Sequence, residues 1–515
     1  MDEGARREPA IDDDVQTLHA LGYAQELARR MGGFSSLALA MSIIGILSGG
    51  VTSFHIGLSS VGGASVGLGW PLACLFSLAV AATMGQVASA FPTAGGLYHW
   101  ASILGGRGWG WATAWFNLAG LVTVLAAINA GAYQFAVRAL GPAIGLGAWA
   151  LGPEAQAVGV AAITASQALI NHRGIKATTR LTDLNGYLIV AVSAVLAIAM
   201  LAFAHVVEPL RLVTVANYSG PRGGGVWPAT GNRFLLFALG LLLPAYTITG
   251  FDAPAHTAEE TIGASRVVPR GIVRSVAISG IAGWLLLSAI VVTAPDLGEA
   301  AGHGEAAFLA IVGSVIPAPL AAALTGGIVI AQYLCGLATV TSASRMAFAF
   351  ARDGGLPFSA RLRSVSPTHR TPAIAIWAVS AAAVLFTAWA EVYSTISVVC
   401  TIFLYVSYVV PTALGFWAYG RSWTTMGPWS IGRWYRPLAA VSVVGCLALI
   451  VIGMHPPNQR SAWVVGGSVV LLAAAWFGLE RRRFPGIPLL GRPGPSPELI
   501  ADAEAAVGEI AGHGE

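Results

Sequence analysis

The sequence predicts an all-α polytopic membrane protein with twelve transmembrane helices, the first and sixth of them discontinuous. Three observations carry this: an apolar composition, long stretches free of charge, and two spans interrupted at matching places. Of 515 residues, 56% are hydrophobic and 10% charged, with a mean hydropathy of +0.70, whereas a soluble domain has about a quarter of its residues charged. No Asp, Glu, Lys or Arg occurs from Met31 to Gly106, and similar gaps cover 275–295, 306–344, 437–458 and 462–479. A helix needs about 20 apolar residues to cross a hydrocarbon core of about 30 Å, so the gaps are spans, and the longest holds more than one.

Taken in order, the expected spans are 34–54, 66–90, 108–138, 154–171, 184–206, 233–257, 274–294, 310–345, 372–389, 392–418, 435–454 and 461–480. Basic residues set their orientation. The loops placed inside carry Arg107, then the group around Lys176, then Arg266 to Arg274, Arg345 to Arg370 and Arg421 to Arg436. The loops placed outside hold only Arg138, Arg211, Arg222, Arg233 and Arg460. Both termini are therefore expected in the cytoplasm, with Arg29-Arg30 flanking the first span and no cleavable signal peptide. The expected units are an N-terminal tail (1–32), a ten-helix core (33–418), two further helices (419–480) and a C-terminal tail (481–515), weakly helical from Pro497 to Gly512. The loop from Phe91 to Trp109 is expected to lie partly along the inner membrane surface.

The same residues exclude several functions. A net charge of +4 spread over short loops implies no nucleic-acid partner; the bilayer is the expected one. Lys176 is the only lysine among 28 basic residues, a bias of GC-rich bacterial genomes that points to a bacterial inner membrane. The four cysteines fall in apolar stretches and read as buried thiols, with no metal or disulfide framework. Gly63-Ala64-Ser65-Val66-Gly67 matches G-x-S-x-G by chance, since a nucleophile elbow needs a strand–turn–helix. No P-loop is present, so ATP does not drive this chain. No enzyme and no cofactor is expected.

Spans 1 and 6 are where a helix should fail. Span 1 contains Ser42-Ile43-Ile44-Gly45-Ile46-Leu47-Ser48-Gly49-Gly50, and span 6 contains Pro244-Ala245-Tyr246-Thr247-Ile248-Thr249-Gly250-Phe251-Asp252-Ala253-Pro254. Irregular backbone at membrane depth survives only where protein or a watery cavity satisfies it. Paired interruptions in two halves point to a transporter's binding site, and spans 1 and 6 correspond if the first ten spans form a 5+5 inverted repeat. The alternative is that Gly45-x-x-x-Gly49 is only a close-packing face.

Three motifs carry a resemblance. Met84-Gly85-Gln86 through Pro92-Thr93-Ala94-Gly95-Gly96-Leu97-Tyr98-His99-Trp100 resembles the segment after span 2 of amino acid/polyamine/organocation permeases, in the branch that includes fungal GABA and choline permeases. Thr249-Gly250-Phe251-Asp252 through Glu259-Glu260-Thr261, with Val268-Pro269-Arg270-Gly271, resembles that branch's span 6 motif. Ser344-Arg345-Met346 through Arg352-Asp353-Gly354-Gly355-Leu356-Pro357 resembles the end of its span 8. Pro254 departs from the small residue common there. The resemblance implies a LeuT-like fold in which a bundle of spans 1, 2, 6 and 7 rocks against a scaffold. It also implies a secondary active uptake permease for a small amine-containing solute, most directly an amino acid such as GABA. Choline, ethanolamine or polyamine transport is the alternative, and a transceptor or channel a remoter one.

An unwound helix frees N–H groups at one half-helix start and carbonyls at the other half's end; the first attract a carboxylate, the second an ammonium or sodium ion. The substrate carboxylate is thus expected at N–H groups around Ser48, Gly49 and Gly50, and its amine near carbonyls from Tyr246 to Thr249. Ile46, Thr123, Phe251, Asp252 and Tyr405 complete the candidate lining. Trp115, Tyr133, Tyr246, Phe251 and Tyr405 are candidates for an aromatic cage around a quaternary ammonium, with ordinary helix packing as the alternative. Asp252 is an intramembrane carboxylate, functional by default; it is read as a contact for the substrate cation, as a proton carrier, or as a cap on the second half-helix. His256 is either a proton relay or a satisfied buried histidine. Glu259 and Glu260 are expected to pair with arginines such as Arg345 and Arg352. The coupling ion is H+ or Na+: Gly45, Ala338, Thr341 and Ser342 match a sodium site in related folds, while Ser and Thr hydroxyls also bond their own i−4 carbonyl. The oligomeric state is not legible.

Overall fold

The structure is a computed structural model that describes residues 4–389, 393–488 and 497–506. Among the described residues nine helices are long and apolar enough to cross a membrane. Three shorter apolar helices, Arg233–Thr247, Gly304–Val315 and Ala373–Ala388, accompany them. The helix expected as span 4, Pro153–His172, is not among these, because Gln156, Gln167 and Asn171 lower its hydropathy; all three are buried against neighbours. No strand forms among the described residues.

The observed helices follow the expected order, with informative differences. Span 1 is Gly33–Ile44, a break, then Gly49–Thr52 and Phe54–Val61. Span 6 is Arg233–Gly240 and Leu242–Thr247, a break, then Ala253–His256. Span 7 begins at Ala264, ten residues before the expected start, because Arg266, Arg270 and Arg274 extend the helix beyond its apolar part. The expected span 8 (310–345) is two helices, Ala307–Val315 and Ala318–Arg352, divided at Pro317, which supplies no N–H. Span 12 continues through a π turn at Trp476–Glu480. The expected start of span 10 at residue 392 lies outside the described residues, as do the tail segments 1–3, 489–496 and 507–515.

The helices pack mainly in two groups. Spans 1, 2 and 7 pack on one another; spans 3, 4, 8, 9 and 10 pack on one another; the second half of span 6 rests on spans 1, 7 and 8, and span 5 touches both groups. Span 12 lies at the periphery with its apolar face outward.

The segment after span 2 is packed into the protein over its first half and exposed toward Trp109. Leu97–Gly105 is a helix whose residues Leu97, Tyr98, His99 and Trp100 are buried, because Gly95-Gly96 turns the chain inward. The two tails dock on one face. Asp14 accepts the N–H groups of Gly263 and Ala264 at 2.6 and 3.0 Å, so it caps the start of span 7. The Glu504 carboxylate, in the C-terminal helix Pro497–Ala506, bonds His19 at 2.7 Å and the Gln25 N–H at 2.8 Å.

Candidate functional site

The two breaks meet. Gly45 ends the first half of span 1 with φ +53°, and the Ser48 N–H turns back onto its carbonyl at 2.8 Å. The half-helix restarts at Gly49, and its first intrahelical bond runs from the Thr52 N–H to the Ser48 carbonyl. The donors from Gly49 to Val51 precede that bond, as orphan N–H groups at a helix start must. Of the three donors expected around Ser48, the Ser48 N–H is therefore already used, while Gly49 and Gly50 fit. Gly49 lies against span 6: a Cβ there would sit 3.2 Å from Thr247 Cα and 3.3 Å from Tyr246 Cε1. A side chain there would press the two half-helices apart by a few tenths of an ångström.

On span 6 the regular helix ends at Thr247, and Gly250 takes φ +79°, where a Cβ would overlap Ile43 of span 1. The Tyr246 carbonyl, expected to receive an amine, accepts the Thr249 hydroxyl at 2.7 Å, and Thr247 bonds Leu243 at 2.8 Å. The Thr249 hydroxyl thus occupies one carbonyl at the end of the half-helix, while Thr247 bonds back into its own turn. Tyr405 reaches the Ala245 carbonyl, beside the break, at 3.4 Å. Two expected residues point elsewhere. Ile46 packs against Gly283 of span 7. Thr123 bonds the Ala119 and Gly120 carbonyls of its own helix at 2.7 and 3.1 Å.

Asp252 does not cap. It stands at the N-cap position of Ala253–His256, but its carboxylate makes no cap bond. Instead Oδ1 accepts the Tyr408 hydroxyl at 2.8 Å, and Oδ2 accepts Asn117 Nδ2 at 3.3 Å and lies 3.1 Å from His256 Nε2. All of it is shut from solvent. Phe251 packs on Tyr408, ring centroids 5.0 Å apart, and Tyr408 on Tyr405 at 5.7 Å. Asn117 and Tyr408 were missed by sequence reasoning, because nothing local distinguishes them; their partner lies far along the chain. The five rings expected as a cage do not converge. Trp115 packs with Trp111 and Phe350, and Tyr133 bonds the Ala150 carbonyl near Trp149.

Two carbonyls at the span 1 break are met from span 8. Gln332 Nε2 donates to the Leu47 carbonyl at 3.1 Å, and the Cys335 thiol faces the Ile43 carbonyl at 3.8 Å. Beside them Asn185 of span 5 donates to Ser42 at 2.9 Å. Thr341, expected as an ion ligand, gives its hydroxyl to Asn171 at 2.7 Å and lies 3.2 Å from the Leu337 carbonyl. Ala338 packs in an apolar cluster with Leu39, Ile43 and Ala253, and Gly45 abuts Cys335. Of the two expected hydroxyls, Ser342 alone is buried without a partner.

On the face that carries the termini the breaks are sealed by charge. Arg345 grips Glu260 through two bonds of 2.9 and 3.0 Å, and Arg352 grips Glu259 at 2.8 and 2.9 Å, the pairings that the sequence suggested. Burial pushes the Glu259 carboxyl up, but the Arg352 guanidinium and the Ala94 N–H outweigh it and hold it below its ordinary value. Asp353 collects the hydroxyls of Tyr23 and Tyr98 and Nε2 of His99, at 2.8 to 3.2 Å. At the opposite face a partly exposed Arg138–Glu305 pair at 2.6 Å stands over Val51 and Thr52, beside a small cleft.

Comparisons with known proteins give the chain's family. The family described as amino acid permease matches residues 31–476. The amino-acid permease BAT1 of Arabidopsis thaliana is 30% identical over 509 residues, covering 93% of this chain and 97% of its own length. Its homologue in rice is 30% identical over 501 residues, 91% and 94% covered. A putative polyamine transporter of Candida albicans is 26% identical over 501 residues, 92% and 88% covered.

Proposed function

The chain belongs to the amino acid permease family, a family of multi-pass membrane transporters rather than enzymes, and on that premise we propose that it carries a small zwitterionic amino acid by alternating access. The observation that carries this is the junction of the two breaks, where Gly49 of span 1 touches Thr247 of span 6. Orphan N–H groups at the start of one half-helix suit a carboxylate, and the carbonyl end of the other suits an ammonium. Both charged ends of a zwitterion are thereby recognised without a charged side chain, which favours amino acids, GABA-like ones included. The dispersal of the five rings argues against a quaternary-ammonium cage. A polyamine remains the second reading, favoured by the Candida albicans relative's name and by Asp252 as the one buried carboxylate beside the breaks.

The twelve spans divide, in this reading, into a 5+5 inverted repeat of 33–418 and two added helices, with both termini in the cytoplasm of a bacterium. The coupling ion is a proton. Gln332 and Cys335 already meet two of the span 1 carbonyls, and Thr341 is turned to Asn171, which speaks against a sodium cage. The test is thermal stabilisation of purified protein by alanine, GABA, arginine, choline and spermidine, each in sodium or potassium. A ligand that binds only the folded state adds about 2.7 kcal/mol at a hundredfold excess over its Kd. A zwitterion response independent of sodium is expected; a response confined to choline or spermidine refutes the carboxylate assignment.

A further inference from the structure

The N-terminal segment ties the two helix groups together on the terminal face. At one end Asp14 caps span 7. At the other, Arg29 donates to the Ala258 and Thr261 carbonyls at 3.1 and 2.7 Å. The Met31 N–H meets the Glu260 carbonyl at 2.9 Å, and the Ile262 N–H meets the Met31 carbonyl at 3.0 Å. Met31 leads into span 1, so both ends of 14–31 are held by the group of spans 1 and 7. The middle crosses to the other group. The Tyr23 hydroxyl lies 3.1 and 3.2 Å from the two oxygens of Asp353, at the end of span 8, and its ring sits 4.1 Å from the Arg352 guanidinium. The segment is thus a strap over the seam that Arg345–Glu260 and Arg352–Glu259 close.

The C-terminal tail starts from the opposite side of that seam. Phe484 is buried against Phe350 of span 8, and Arg107, at the start of span 3, donates to the Phe484 and Arg481 carbonyls at 3.2 and 3.0 Å. Pro485 lies beside Gly354, next to the strap's own anchor at Asp353. From this root the chain continues to the helix Pro497–Ala506, where one oxygen of Glu504, Oε1, meets the strap twice, at the Gln25 N–H and at His19 Nε2. We propose that the C-terminal helix is a latch on the N-terminal strap, so that Glu504 controls how readily the terminal face opens. The strap is fixed to spans 1 and 7 and the tail to spans 3 and 8. Parting the two groups here therefore lifts Tyr23 from Asp353 and strips the Gln25 N–H of its carboxylate, a charge-assisted bond. Both bonds of Glu504 go to the strap rather than to the seam, so the latch adjusts opening without entering the path of the solute. The inference rests on the alternating-access reading but not on the identity of the substrate.

The test is maleimide labelling of the full chain in nanodiscs, where both faces meet the reagent. One reporter cysteine replaces Ala347, buried near the seam, and another, in a separate protein, replaces Val51, which lines the cleft at the opposite face. A bond to a charged group is worth about tenfold or more, so Glu504→Ala is expected to speed labelling at 347 about tenfold and to leave labelling at 51 no faster. Tyr23→Phe, which keeps the ring under Arg352 but frees Asp353, is expected to do the same. Glu498→Ala, an exposed acid of the same helix, is expected to change neither rate beyond about twofold. A rate at 347 within about twofold of the parent in Glu504→Ala overturns the proposal. So does equal acceleration at both reporters, which marks general loosening, or an equal effect of Glu498→Ala, which marks net charge alone. If Glu504→Ala does not fold, His19→Ala decides: about threefold acceleration at 347 is expected, and none overturns the latch. Counterflow of alanine, GABA and spermidine in liposomes separates the two readings. No flux of any probe beside accelerated labelling at 347 refutes the substrate reading and supports the latch; flux beside unmoved labelling refutes the latch alone.

Discussion

Replacing Glu260 by alanine should break the seal on the terminal face. Glu260 and Arg345 are both fully buried, and the guanidinium meets the carboxylate through two nearly parallel bonds of 2.9 and 3.0 Å. They join the segment after span 6 to the end of span 8, hence one helix group to the other. Removing one partner of a buried pair leaves the other charge uncompensated and costs about 3–5 kcal/mol. If that cost falls on the closed arrangement, a loss of about 3 kcal/mol moves the closed-to-open ratio by roughly two decades. The assay is the labelling rate of a reporter cysteine at the buried position Ala347 with an impermeant maleimide, in Glu260→Ala, Arg345→Ala and the double variant. The single variants are expected to label about a hundredfold faster. The double variant should recover part of this, with a coupling of about 1.5 kcal/mol or more. A coupling below about 0.5 kcal/mol, or labelling as slow as in the parent, refutes the reasoning that this pair holds the face shut.

Three further outcomes follow from the same contacts. Burial raises the carboxyls of Asp14 and Glu26, against the pull of Arg29 and Arg352 respectively. The docked N-terminal segment therefore binds more protons than the free one and tightens as pH falls through those raised values, levelling off below about pH 4. Limited proteolysis after Arg29 should slow on acidification, and acceleration would refute the sign. Gly336→Ala places a methyl on Asn129 and Gln167, whose amides bond each other and the Tyr333 carbonyl; a loss of about 1–3 kcal/mol is expected in denaturation. Thr341→Ala removes a buried bond to Asn171 and should cost about 1–2 kcal/mol of stability. It should leave the ion dependence of uptake within about twofold, whereas a switch in sodium dependence would restore the sodium reading.

Much of this arrangement was legible in the sequence, and what was not had a common cause. The spans were visible because hydrocarbon excludes charge, which leaves its mark on every residue of a crossing helix. The breaks were visible because Gly45, Gly49 and Gly250 recur where helix should continue, and glycine is the residue that bears positive φ and close contact. Pro317 divided the expected eighth span, and Gly95-Gly96 turned the segment after span 2 inward, both by local backbone chemistry that a hydropathy pattern does not record. Thr341, Ile46 and Thr123 went astray for another reason: the direction of a side chain on a helix is decided by whichever neighbour satisfies it.

The sequence by itself determined that this is a multi-pass membrane protein, that spans 1 and 6 are interrupted, and that Asp252 is a buried carboxylate in need of partners. These are properties of single segments, set by hydropathy, by glycine and proline, and by the cost of charge in an apolar medium. Only the tertiary structure decided which partners answer that need. Tyr408 stands 156 residues from Asp252 and Asn117 stands 135 away, and Gln332 reaches a carbonyl 285 residues distant. Hydrogen bonds act over about 3 Å of space regardless of separation along the chain, so no local pattern records them.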